Sequence, residues 1–201
     1  MFINSLGKEI KPKDFGQKSA QLNVFFLDYL KEFHIPTAFV KLHSANSILN
    51  LKHSRIPFSI KILNTLDKRT AKIFNHKEGE ILNLPIFEYH YGENKDSIIT
   101  ESHIVSFDLC SIEDLKLMTR ICSKINAVLR SFFERRNLIL SELSCIFGKN
   151  SDKFFLVEDF SPQSLKVISS DKTLKLPDPY KLSTPSDVKK YSDFLINLLK
   201  N

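Results

Sequence analysis

The chain has 201 residues, 42% of them hydrophobic and 26% charged, and its 29 Lys+Arg against 23 Asp+Glu give a net charge of +6. That balance excludes a disordered polar tail, because enough apolar surface is present to offset chain entropy. No apolar run approaches the roughly 18 residues of a membrane span, and Met1-Phe2-Ile3-Asn4 does not open a charged-then-apolar leader, so a cytoplasmic protein with no membrane partner is expected.

In chain order, the residues up to Gln17 hold Gly7 and Gly16 and show no period, and they are expected to form a loose lead-in. Leu22, Phe25, Phe26, Tyr29, Leu30 and Phe33 then fall on one face of a helix from Lys18 to Phe33. His34-Ile35-Pro36-Thr37 ends it. Ala38 to His43, Ser47 to Leu51 and Phe58 to Leu63 have the patterning of strands, with Pro57 marking the start of the third. Asp67 to Asn75 fits a short helix, and Asn94 to Ser102 an acidic loop. Ser111 and Asp114 form a capping pair. They open the clearest helix, whose stripe of Leu115, Met118, Cys122, Ile125, Val128, Leu129, Phe132 and Phe133 is expected to pack into a core. Leu138 to Ser144 and Phe154 to Phe160 form a hairpin turned at Gly148-Lys149-Asn150-Ser151, and Leu165 to Ile168 adds a strand. Ser186 is expected to cap a final helix carrying Tyr191 and Leu195. Hairpins rather than strict βαβ alternation predict an α+β fold with antiparallel sheets and flanking helices.

The three cysteines, Cys110, Cys122 and Cys145, are dispersed and form no CxxC pair, which fits buried thiols in a reducing compartment. The six histidines lack metal-ligand spacing and are expected to be surface or structural. Basic residues are spread along the chain. That disfavours nucleic acid as a partner and leaves small phosphates open. Glu158-Asp159-Phe160-Ser161-Pro162 is the best acidic candidate, since one carboxylate at a strand end beside a proline turn suits Mg²⁺. Glu142, on the preceding strand, is expected to meet Glu158 across the hairpin. Asp96 and Glu101 make a second acidic set. Lys52, Lys61 and Lys166 lie in or beside strands, where a phosphate is reachable.

With those residues laid out, the chain resembles the SAICAR synthetase family from Gly16 to Lys166. Ile35-Pro36-Thr37 is similar to the family's IPT turn. Pro85-Ile86-Phe87-Glu88-Tyr89 resembles its P-[IL]-[VF]-[ED]-[FL] strand, and Asp96 to His103 its DPxxNExH loop. Leu138 to Gly148 falls on the LILVDFKLEFG signature, and Leu156 to Pro162 on L(G/A)DEFSPD. The resemblance implies a two-lobed fold related to ATP-grasp proteins, with a small lobe over about residues 1–55 and a larger one over 56–201. It also implies ATP- and Mg²⁺-dependent amide formation between aspartate and a phosphorylated carboxyaminoimidazole ribotide through an acyl-phosphate-type intermediate, in a homodimer.

Mapped onto this chain, it implies Asp96 and Glu101 as catalytic residues. Arg69, Lys166 and Ser161 would bind substrate, and Lys52 and Glu158 would bind ATP. Glu158 and Glu142 would hold the metal. Departures are also plain. No phosphate-covering GKxK hairpin is legible before the first helix. Leu63 stands for an arginine. Ser144 stands for the signature lysine, Ile146 for its second acid, and Lys166 for an arginine. A lost transition-state contact typically costs about 3 kcal/mol. The alternative expectation is therefore a non-catalytic relative that keeps the fold as a nucleotide-binding or interaction module.

Overall fold

A computed structural model describes residues 2–3, 9–10, 12–92, 97–157, 160–171 and 173–200. The lead-in is not wholly irregular: β1 (Phe2–Ile3) pairs antiparallel with β2 (Glu9–Ile10). Two-residue strands are too short to leave a period in sequence. Helix α1 (Phe15–Glu32) buries Leu22, Phe26, Leu27 and Leu30. It closes by donating His34 N to Lys31 O and Ile35 N to Leu30 O, with His34 at φ 57°. This is a Schellman turn with histidine at the left-handed position usually held by glycine.

Strands β3 (Phe39–Ser44) and β4 (Ser47–Asn50) form a hairpin of their own. The main sheet is antiparallel and six-stranded, built on β5 (Ser54–Thr65), β6 (Ile81–Tyr91), β7 (Ile98–Ile99), β8 (Leu138–Asn150), β9 (Lys153–Leu156) and β10 (Leu165–Ser169). Its order is β10-β8-β5-β6-β7, with β9 also paired to β8. Pro57 lies inside β5 rather than before it. The β5–β8 ladder breaks between Arg55 and Ser59, where the proline has no N–H to give. Pro85 sits in a similar irregularity of the β5–β6 ladder.

Helix α2 (Lys68–Phe74) is capped by Asp67, whose carboxylate accepts from Thr70 N at 2.8 Å. The expected acidic loop is partly helical: α3 (Glu101–Ser106) starts at Glu101 behind a Thr100–His103 capping box. Helix α4 (Ile112–Glu134) begins at Ser111 as expected, and its predicted stripe is buried apart from the partly buried Val128. Helix α5 (Pro185–Leu198) is capped by Thr184, not Ser186, with Pro185 in the first turn.

Helix α4 covers one face of the sheet, packing Met118, Cys122, Ile125 and Leu129 against Ile60, Ile62, Leu143 and Cys145. Phe26 of α1 joins that core through ring contacts to Phe132, Phe133 and Phe160. Asn64 of β5 and Asn126 of α4 exchange two buried amide bonds of 2.8 and 2.9 Å, which fix the helix against the strand. Among the described residues, no helix is long and apolar enough to cross a membrane.

Candidate functional site

Strand alternation assigns the other face of the sheet. In β5, Ile60 and Ile62 point to the core, so Ser59 and Lys61 point away from α4. In β6, Tyr89 is buried on the α4 side, where its hydroxyl donates to Glu101 Oε1 at 3.0 Å, so Glu88 and His90 point away. In β8, Leu143 and Cys145 are core, which turns Glu142 and Ser144 outward. The β8–β10 register pairs Lys166 with Glu142 but Val167 with Leu140. Ser141 is thus the extra residue of a bulge on β8. The bulge lets Ser141 and Glu142 both face the same cavity while Leu140 returns to the core.

That cavity has a volume of about 710 Å³, and Lys61, Asp67, Arg69, His90, Glu142 and Lys166 are on its wall. Glu88 backs it, 7% exposed, and its carboxylate gathers three partners. Arg69 pairs with Oε1, His90 Nε2 lies 3.2 Å from Oε2, and Lys61 Nζ lies 3.9 Å from Oε2. Lys61 Nζ is also 3.4 Å from Glu142 Oε2. Burial pushes the Glu88 carboxyl upward, but the His90 hydrogen bond and the Lys61 and Arg69 charges outweigh it and hold the pKa below its ordinary value. Asp67 behaves alike: burial raises it, while Thr70, Lys61 and Arg69 bring it below the usual carboxylate range. Lys166, 7% exposed, donates to Pro162 O at 2.6 Å and Pro179 O at 3.1 Å. Its ammonium therefore anchors the segment carrying Pro179 and Tyr180 to the cavity wall. The Tyr180 hydroxyl lies 2.7 Å from Ser141 Oγ. Burial and the Glu142 charge push its pKa above the ordinary tyrosine value.

Of the residues expected from sequence, the structure brings Arg69, Glu142 and Lys166 together at this cavity. Ser161 is buried in the turn below it, where its hydroxyl accepts from Gln163 N at 3.3 Å and Gln163 reaches the wall. Glu101 is on the opposite face of the sheet, held by Tyr89, and does not reach the cavity. Lys52 is exposed in the β4–β5 connection, its carbonyl accepting from Asn150 Nδ2 at 2.7 Å, and it too is off the cavity wall. Asp96 and Glu158 lie outside the described residues. The expected meeting of Glu142 with Glu158 lies outside the described residues; in the ladders Glu142 pairs with Lys166 and Leu63.

Sequence reasoning missed His90, set aside as structural, and the gathering role of Glu88. The polar–apolar–polar order Glu88-Tyr89-His90 in a strand was the available signal. It also missed Asn23, whose buried amide accepts from Phe160 N at 2.9 Å and fixes the start of the turn beneath the cavity. The thiols take no part. Cys122 and Cys145 are core, and burial with the Asp114 charge pushes Cys110 up to about 11.

A family model described as SAICAR synthetase matches residues 4–181. The chain belongs to the SAICAR synthetase family. Among relatives, the phosphoribosylaminoimidazole-succinocarboxamide synthase of Cellvibrio japonicus is 31% identical over 173 residues, which is 85% of this chain and 73% of that protein. Its counterpart in Sulfolobus acidocaldarius is 27% identical over 89% of this chain and 79% of its own length. Solved structures agree on the fold. SAICAR synthetase from Pyrococcus horikoshii aligns with a TM-score of 0.85 at 24% identity, covering 97% of this chain and 88% of that one. The Ehrlichia chaffeensis synthase aligns at 0.86 and 22%, covering 100% and 86%. The α+β expectation is borne out, and the family places the chain among the ligases of purine biosynthesis.

Proposed function

We propose that this protein joins L-aspartate to carboxyaminoimidazole ribotide at the expense of ATP, in the cytoplasm and as a homodimer. The observation that carries the reading is the cavity itself. Buried Lys166, Glu88 and Glu142 converge there with the more exposed Lys61 and Arg69, around the bulge of the strand that carries the family signature. In the reaction, a ribotide carboxylate oxygen attacks the terminal phosphorus of ATP and ADP leaves. The aspartate amine then displaces phosphate to form the amide. Such chemistry needs fixed cations around developing negative charge. Arg69 and Lys166 are assigned to the ribotide phosphate or carboxylate, with Ser161 shaping the turn beside them and Asp96 the substrate loop. Lys52 is assigned to the nucleotide. Glu101 is left out, because its carboxylate serves Tyr89 on the far face.

Mg²⁺ fits the donor chemistry, since it takes one or two carboxylates and completes its shell with water and phosphate oxygens. Glu142 supplies one buried carboxylate, and Glu158 is assigned as the second. When bound, the ion would neutralise phosphate charge. The division near residue 55 into a small and a large lobe, with the nucleotide between them, belongs to the same proposal.

The test is product formation by the purified protein supplied with Mg-ATP, aspartate and the ribotide. Accumulation of succinocarboxamide product and ADP in equal amounts is expected. Tight Mg-ATP binding with no product would instead favour the binding-module alternative.

A further inference from the structure

Beside Ser144 the cavity wall holds a lysine that the reading above leaves without a role. Lys61 of β5 lies directly opposite Ser144 in the β5–β8 ladder and directly opposite Glu88 in the β5–β6 ladder. All three side chains point away from α4. Neighbouring strands are about 4.8 Å apart, less than the reach of a lysine side chain. An ammonium on either strand can therefore occupy the same space above the pair. From β5, that ammonium sits 3.4 Å from Glu142 and 3.9 Å from Glu88, with the Lys61 side chain 19% exposed. Both separations exceed the 2.7–2.9 Å or so of a saturated charge-assisted hydrogen bond. The ammonium thus bridges two carboxylates while keeping donor capacity toward the cavity.

We propose that Lys61 is a positioning residue of the site: from β5 it supplies the cation that holds Glu142 and Glu88 for the ligand of the cavity, and a lysine at position 144 of β8 would supply the same charge. This rests on the ligase reading for the identity of the ligand but not for the exchange of positions. It adds a positioning residue to those assigned above, and it accounts for an uncharged Ser144 beside Glu142. Like charges directly opposite one another in a ladder destabilise a sheet, so Lys61 and a lysine at 144 should exclude each other.

The experiment uses four full-length proteins: wild type, Lys61→Ser, Ser144→Lys and the double replacement. The first reading is melting temperature without ligand. Ser144→Lys should lower it when Lys61 is present and raise it when serine stands at 61. The same sign in both backgrounds overturns the exchange. The second reading is calorimetric Kd for Mg-ATP. Lys61→Ser should weaken binding about tenfold, and the double replacement should return to within about threefold of wild type. A reversal in melting with an unchanged Kd would reduce Lys61 to a scaffold charge and overturn its role at the site. A double replacement no better than Lys61→Ser would do the same. If Lys61→Ser does not fold, Lys61→Met keeps the apolar stem while removing the charge. A wild type that neither binds Mg-ATP nor forms product counts against the ligase reading, and the melting comparison then still decides the exchange.

Discussion

The two faces of the central sheet are built from alternate residues of the same strands, yet they obey different rules. On the α4 face, Ile60, Ile62, Leu143 and Cys145 meet a helix stripe, and each contact is worth its own buried area. On the cavity face, Lys61, Arg69, His90, Glu88 and Glu142 form one linked set, in which no member's effect is separable from its neighbours'. Apolar packing is additive and tolerant of conservative exchange. A charge network tolerates relocation of a charge but not its loss.

The largest expected effect lies on the apolar face. Phe133→Ala should cost about 3–5 kcal/mol in chemical denaturation, because the ring is fully buried against Phe26 and Phe132. A cost below 1 kcal/mol or so would mean this face is not the core. Next, Asn64→Ala should cost about 1–3 kcal/mol by stranding the Asn126 amide, and changing both residues to leucine should recover part of that loss. If the double change is worse than the single one, the pair is not an isolated bond.

The cavity face is sharpened by pH. Glu88 has a lowered pKa in the folded protein, so its contribution is complete above the ordinary value of 4.5 and fades as pH falls through the lowered one. Glu88→Gln should therefore flatten the fall in unfolding free energy with acid below that value, and an unchanged slope would disconnect Glu88 from its three partners. The smallest effect belongs to neither face. His34→Gly should stabilise the protein by about 1 kcal/mol, since the left-handed turn that closes α1 costs an L-residue roughly that much.

The comparison also explains what could be read from the chain. The α4 stripe and its Ser111 cap were legible because a helix repeats its apolar spacing over many turns. The charged face was only partly so. Glu142 and Lys166 were legible as a carboxylate and a cation in strands, and Arg69 through the family pattern, but their meeting depends on ladder register, which no local spacing encodes. The same blindness put Glu101 at the site and left His90 out, although His90 and the Tyr89 that holds Glu101 alternate along one strand. Glu101 misled because α3 begins at it and presents its carboxylate to Tyr89. The lead-in hairpin and the continuation of β5 through Pro57 escaped for a different reason: short or proline-bearing strands look like turns.

The bulge at Ser141 constrains what β8 can become. Because one surplus residue sits between an inward Leu140 and an outward Glu142, losing it would leave a regular ladder with both orientations kept, whereas inserting one more residue nearby would reverse every side chain on one flank. Leu138 and Leu140 would then be stranded in water. A substitution along this strand leaves that alternation in place, but a gain of a single residue would invert it.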